Sequence, residues 1–192
     1  MNAFPAQNSG FRRYFMTHSP DSNPEPPVRR RLADYSNAEY HPGRGFLVRL
    51  TWYFVSLVFL ESAWLPWSGL KVWLLRLFGA RIGAGVVIHP NVRVKNPWRL
   101  SIDDNCWIGR EVWIDNIEDV TIESDVCLSQ QAYLCTGSHD HHSETFELTA
   151  APIRIGHGAW ICCRATVLPG AVVPGMRVVG AGRVFTRHQN ES

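Results

Sequence analysis

The stretch from Gly137 to Pro152 carries Ser138, His139, Asp140, His141, His142, Ser143, Glu144, Thr145 and Glu147, a dense group of proton-handling side chains in a chain of 192 residues. Imidazole titrates near neutrality, so a histidine here can take a proton from a hydroxyl and pass it to a leaving group. Imidazoles also bind zinc, and His139, His141, His142 and His89 would supply the ligands. Adjacent His141 and His142 cannot easily both turn toward one ion, which favours proton transfer over a metal. The five cysteines (Cys106, Cys127, Cys135, Cys162 and Cys163) are odd in number and contain no CxxC pair. That argues against a disulfide framework and a zinc ribbon, and it fits a reducing cytoplasm.

The element that must position this stretch is a repeat. An aliphatic or aromatic residue returns every six positions: Ile82, Ile88, Val94; Ile102, Ile108, Ile114; Ile122, Leu128, Leu134; Ile155, Ile161, Val167; Val173, Val179, Phe185. Neither a helix nor an ordinary sheet has that period. It predicts a parallel β-helix of about five triangular coils, an all-β fold in which three short sides close each turn. At roughly 4.8 Å per strand the prism is on the order of 24 Å long. The extra residues, Leu100 and Ser101, Val120 and Thr121, and the long stretch before Ile155, all follow a third side. Insertions therefore leave the prism at one edge, and function is expected along it.

Composition bounds the rest. A hydrophobic content of 45% predicts a real core, and a net charge of +2 gives no general case for a nucleic-acid partner. Residues 1–31 mix Pro, Ser, Asn and Arg without periodicity and read as a disordered tail, with no apolar run to make a secretory signal. Residues 32–81 read as an N-terminal helical segment. Between Phe46 and Phe78, Pro66 ends a first helix and Gly79 a second. These helices either cover the open first coil or, flanked by Arg44, Arg49, Lys71 and Arg76, touch a membrane interface through residues 46–78. The apolar run is about half the length that spans a bilayer. Residues 82–187 form the β-helix, and 188–192 a C-terminal tail.

Certain segments of this repeat resemble the left-handed β-helix hexapeptide-repeat acyltransferases. They are Leu74-Leu-Arg-Leu-Phe-Gly-Ala-Arg-Ile-Gly83, Trp113-Ile-Asp-Asn116, Val126-Cys-Leu-Ser-Gln-Gln-Ala-Tyr-Leu-Cys-Thr-Gly-Ser-His-Asp140, Ala159-Trp-Ile161 and Val178-Val-Gly-Ala-Gly182. The branch they resemble contains the colanic acid biosynthesis acetyltransferases and, more distantly, the maltose, galactoside and nodulation O-acetyltransferases. The resemblance covers about Leu32 to Arg187.

It implies an O-acetyltransferase that moves an acetyl group from acetyl-CoA to a sugar hydroxyl of an exopolysaccharide precursor, without a metal. It implies His139 as general base, and Asp115, extended by Asn116, as the acceptor-binding point. Trp160 would lie beside the reacting end of the donor, with Cys163, Ala181, Thr186 and Arg187 along the CoA groove. It further implies a homotrimer; the cysteines lead to the expectation of a cytoplasmic location, with association at the inner face of the membrane through residues 46–78 as the alternative to free solution. Two other readings stand beside it: a non-catalytic hexapeptide scaffold that binds a polysaccharide assembly, and a zinc enzyme resembling γ-type carbonic anhydrases. Arg177 and Arg183 occupy inward positions of the last coil, where an unpaired guanidinium is costly, so they are expected to escape through the open end.

Overall fold

The computed structural model describes residues 29, 31–37 and 40–189. The tail expected over residues 1–31 falls outside them except at Arg29 and Arg31, as do residues 190–192. The chain divides into two compact units, Pro42–Gly137 with Ala151–Ser192, and Met1–His41 with Ser138–Ala150.

The larger unit is the solenoid that the six-residue period predicts. Three parallel sheets of five strands each run its length, one per side of the coil. On the first side Ile82 pairs with Ile102, Ile102 with Ile122, Ile122 with Ile155, and Ile155 with Val173. The other two sides repeat this register, so the aliphatic column read from the sequence is the column that fills the axis, at 0–9% exposure from Ile82 to Phe185.

The corners explain the period. Asn91, Asn105, Glu111, Asp125, Gln131, Arg164 and Met176 all have φ between 58° and 61°, a left-handed conformation that turns the chain by about one side of a triangle. A small inward residue follows each except Met176, then one outward residue, then the axial aliphatic. Val92, Cys106, Val112, Val126, Ala132 and Ala165 are those small residues, all at 0–1% exposure. In the last coil the corresponding positions are Arg177 and Arg183, and both are exposed, as expected where no further coil follows. Adjacent coils touch so closely at Gly156 that a Cβ there would sit 2.5 Å from the amide nitrogen of Gly175.

Leu100 and Ser101, and Val120 and Thr121, do not leave the prism as expected: Leu100 pairs with Val120 and Ser101 with Thr121, which lengthens the first-side strands, and only the long stretch before Ile155 is an outgrowth. The edge that precedes these strands is held by polar groups. Asn96, Asn116 and Thr136 lie there in successive coils at 5%, 0% and 0% exposure. The Asn96 amide N–H donates to Asn116 Oδ1 (3.0 Å), Asn96 Nδ2 donates to the Asn116 carbonyl (2.9 Å), and Asn116 Nδ2 donates to the Asn96 carbonyl (2.7 Å). Thr136 Oγ1 donates to the Asp115 carbonyl (3.1 Å) and accepts from the Glu118 amide (3.0 Å). Outside this ladder Arg99 pairs with Glu118 at 2.9 Å.

Two helices close the first coil, α1 (Phe46–Val55), which continues as a π turn over Ser56–Leu60, and α2 (Ser68–Leu77). Trp52 Nε1 donates to the Val94 carbonyl (2.9 Å), and the Arg76 guanidinium donates to the carbonyls of Ile82 (2.7 Å) and Gly83 (2.8 Å). Ser68 Oγ accepts from the Ile88 amide (2.8 Å). The strand edge that a solenoid would otherwise leave bare thus finds partners. Lys71 lies on the inner face of α2 at 0% exposure, its Nζ without a hydrogen-bond partner, and burial pushes its ammonium pKa down.

Two outcomes follow. Asn116→Ala removes the two hydrogen bonds its side chain makes to the buried Asn96 and should cost about 1–3 kcal/mol, read as a lower urea midpoint at unchanged m value; an unchanged midpoint would show the ladder to be dispensable. The Lys71 amine titrates at its ordinary 10.5 when unfolded and lower when folded, so just below pH 10.5 the unfolded chain binds more protons and stability rises with pH. Lys71→Met should remove that rise and stabilise the fold at neutral pH; a variant with the wild-type slope would locate the titration elsewhere.

Candidate active site

His139 belongs to the smaller unit. There Gly137–His139 and Leu148–Ala150 form a two-stranded sheet, closed further by the Asp140 amide donating to the Glu147 carbonyl (2.9 Å). The Arg31 amide donates to the Glu144 carbonyl (2.9 Å), which ties the segment around the Leu32–Asp34 turn to this hairpin.

The imidazole of His139 is gripped on two sides. It stacks on Phe146 with ring centroids 4.4 Å apart and planes 4° off parallel, and Tyr35 meets its edge at 5.6 Å. Phe146 takes a left-handed φ of 53°, and its carbonyl oxygen lies 2.9 Å from His139 Nδ1. A carbonyl can only accept, so Nδ1 carries the proton and Nε2 holds the lone pair. A half-buried imidazole fixed in this tautomer has the form a general base needs. The neighbouring His141 and His142 rings pack on each other at 3.9 Å, and among the described residues no group of three His, Cys, Asp or Glu side chains is placed to hold a metal.

The remaining expected residues belong to the larger unit. Asp115 ends a third-side strand, its carboxylate 2.8 Å from Lys95 Nζ and 3.2 Å from the Tyr133 hydroxyl, which donates to it. Burial, Cys135 and Asp115 all push the Tyr133 pKa up, so it remains a donor. A carboxylate offers about four acceptor sites, so Asp115 retains capacity for an acceptor hydroxyl. Asn116 differs from expectation. Fully buried, with its amide engaged by Asn96, it belongs to the scaffold; its side chain cannot reach a sugar.

The residues expected on the donor side divide between two corners. Cys163 and Ala181 stack one coil apart where the second side meets the third, with the Gly182 amide donating to the Cys163 carbonyl (3.0 Å), and both are exposed. Trp160 points outward from the second side, 48% exposed, its Nε1 donating to Ser129 Oγ (2.8 Å). Thr186 and Arg187 follow the third side of the last coil, where the Thr186 amide donates to Gln189 Oε1 (2.9 Å) and burial pulls the Arg187 pKa down.

Sequence reasoning did not single out Lys95 and Tyr133 beside Asp115, or Phe146 and Tyr35 beside His139. The first pair carried a signal: Trp113 and Tyr133 both precede a third-side aliphatic, and they stack one coil apart at 4.9 Å. The second pair carried none, because only closure of the hairpin and the Leu32–Asp34 turn brings those rings to His139.

No family model matches the chain. It is 40% identical over 147 residues to a protein of Escherichia coli (strain K12) named as the colanic acid biosynthesis acetyltransferase WcaF, covering 74% of this chain and 78% of that one. The WcaF of Shigella flexneri gives the same figures. Among solved structures, a hexapeptide-repeat acetyltransferase of Vibrio cholerae O1 biovar eltor complexed with acetyl coenzyme A superposes with a TM-score of 0.63 at 20% identity, covering 72% of this chain and 75% of that one. A maltose O-acetyltransferase of Clostridium difficile 630 gives 0.60 at 18%, covering 73% and 78%; at these identities both bear on the fold alone. With the solenoid in register and 78% of the WcaF length matched at this identity, the chain belongs to the colanic acid biosynthesis acetyltransferase family of hexapeptide-repeat proteins.

Proposed function

We propose that the protein transfers an acetyl group from acetyl-CoA to a hydroxyl of a sugar in an exopolysaccharide precursor, with His139 as the base. The observation that carries this reading is the hydrogen bond from His139 Nδ1 to the Phe146 carbonyl, which leaves Nε2 as the basic nitrogen. Nε2 takes the hydroxyl proton as that oxygen bonds to the acetyl carbon. Nε2 then gives this proton to the sulfur as the carbon–sulfur bond breaks, yielding an ester and free CoA thiol. The Phe146 carbonyl steadies the imidazolium formed between the two transfers, and the stacked ring prevents rotation.

Asp115, backed by Lys95 and Tyr133, is the acceptor-side group of this reading. On the donor side the exposed corner of Cys163 and Ala181 suits the pantetheine arm, since backbone groups of successive coils are spaced along it. Arg187 suits a CoA phosphate.

The working form in this proposal is a homotrimer. The second side supports it by presenting Val87, Trp107, Trp160 and Val178 outward in one row, 37–60% exposed. Such an apolar strip is characteristic of contact surfaces. The proposed location is the cytoplasm, at the inner face of the membrane, and five free thiols support a reducing compartment.

His139→Gln should lower the rate of acetyl-CoA consumption about 10²–10⁴-fold with a saccharide acceptor while leaving the circular dichroism unchanged. Turnover within a factor of two of wild type would remove His139 as the base. Light scattering on the purified chain should give three times the mass of one copy, and a monomer would overturn the trimer.

A further inference from the structure

Helix α1 and its π-turn continuation carry large apolar residues on both faces, which is unusual for a helix that packs on a protein along one stripe only. Trp52, Ser56 and Leu60 face the prism and are buried. On the other face Leu47, Leu50, Phe54 and Val58 recur at helical spacing, 40–74% exposed, and Trp67 and Trp73 continue the surface from α2 at 69% and 57%. A soluble surface gains nothing from such a face. The stretch Phe46–Leu60 is about 22 Å long at 1.5 Å per residue, short of the roughly 30 Å of a bilayer core, and no described helix is long and apolar enough to cross a membrane.

Charge identifies the occupant. Residues 42–102 contain eight Lys and Arg and a single acid, Glu61, whose carboxylate is held by Ser56 (2.7 Å) and approached by Arg93 (3.7 Å). Residues 103–125 reverse this, with eight acids and one base, Arg110. The helices and first coil are thus a basic end and the second coil an acidic one, tied to it by Lys95–Asp115 and Arg99–Glu118, while residues 151–187 carry five arginines and no acid. Two copies meeting face to face through the helices would oppose like charges, Arg44 among them.

We infer that the outer face of α1 and α2 docks on the surface of an anionic phospholipid bilayer. Leu47, Leu50, Phe54 and Val58 enter the acyl boundary, the tryptophans lie at headgroup depth, and Arg44, just before the helix, meets lipid phosphate. This gives the proposed inner-face location a physical surface, and it stands without the transferase reading.

The test is flotation of the full chain with vesicles of phosphatidylcholine containing about 30% phosphatidylglycerol, beside vesicles of phosphatidylcholine alone. Wild type should float with the anionic vesicles, bind the neutral ones at least about tenfold more weakly, and be released by salt at about 1 M. Leu50→Glu/Phe54→Glu and Arg44→Glu should each lower partition at least about tenfold, with circular dichroism and melting unchanged because all three positions are exposed. Wild type left unbound by anionic vesicles would overturn the inference, as would a Leu50→Glu/Phe54→Glu variant that floats like wild type. If wild type does not float and that variant falls to a smaller mass in light scattering, the face joins copies of the chain and the lipid assignment is wrong. Acetyl transfer in vesicle-free buffer reads the other proposal separately, so either can fail alone.

Discussion

Register between coils is the constraint on which everything else rests. Each turn donates its backbone N–H groups to the next, as the Gly83 amide does to Ile102 (2.8 Å), Asp103 to Ile122 (2.8 Å) and Glu123 to Ile155 (2.9 Å). These bonds are satisfied only when each axial side chain sits directly over its neighbour. A slip of one residue would turn the whole axial column outward, so backbone pairing and apolar burial select the same alignment. The long excursion between Ile122 and Ile155 changes the chain length of that coil and leaves the register intact.

A solenoid locked this way tolerates additions only where the chain already turns without strand pairing. The third corner is that place. Its interior is lined by Asn96, Asn116 and Thr136, whose hydrogen bonds supply the partners that strands would otherwise provide. An apolar residue at these points would leave buried amides and carbonyls unsatisfied. The corner can then emit the hairpin bearing His139, and Ala151 rejoins the prism by donating to the Thr136 carbonyl (3.0 Å).

The two ends of the solenoid are finished differently. At the first coil α1 and α2 supply side-chain donors and acceptors to strand groups that have no preceding coil, and they accept the burial of Lys71 in doing so. Their packing uses one stripe of each helix and leaves the apolar opposite face unaccounted for by folding alone. At the last coil arginines replace the small inward residues, so that end is hydrated.

The amino-acid sequence alone determined the coil count, the side to which each aliphatic residue belongs and the edge that carries the outgrowth, because a six-residue period is a local property repeated along the chain. It singled out His139 through the motif around it, and it placed helices between Phe46 and Phe78. Tertiary structure decided which polar residues are free to act. Asp115 and Asn116 are adjacent in sequence and equally suited to a sugar, yet the alternation of the corner turns one toward Lys95 and Tyr133 and the other into a buried ladder. It also decided the tautomer of His139, since that depends on a carbonyl seven residues away that only the closed hairpin delivers. Burial and hydrogen-bond partners are set by what lies one coil above or below, and no local pattern records them.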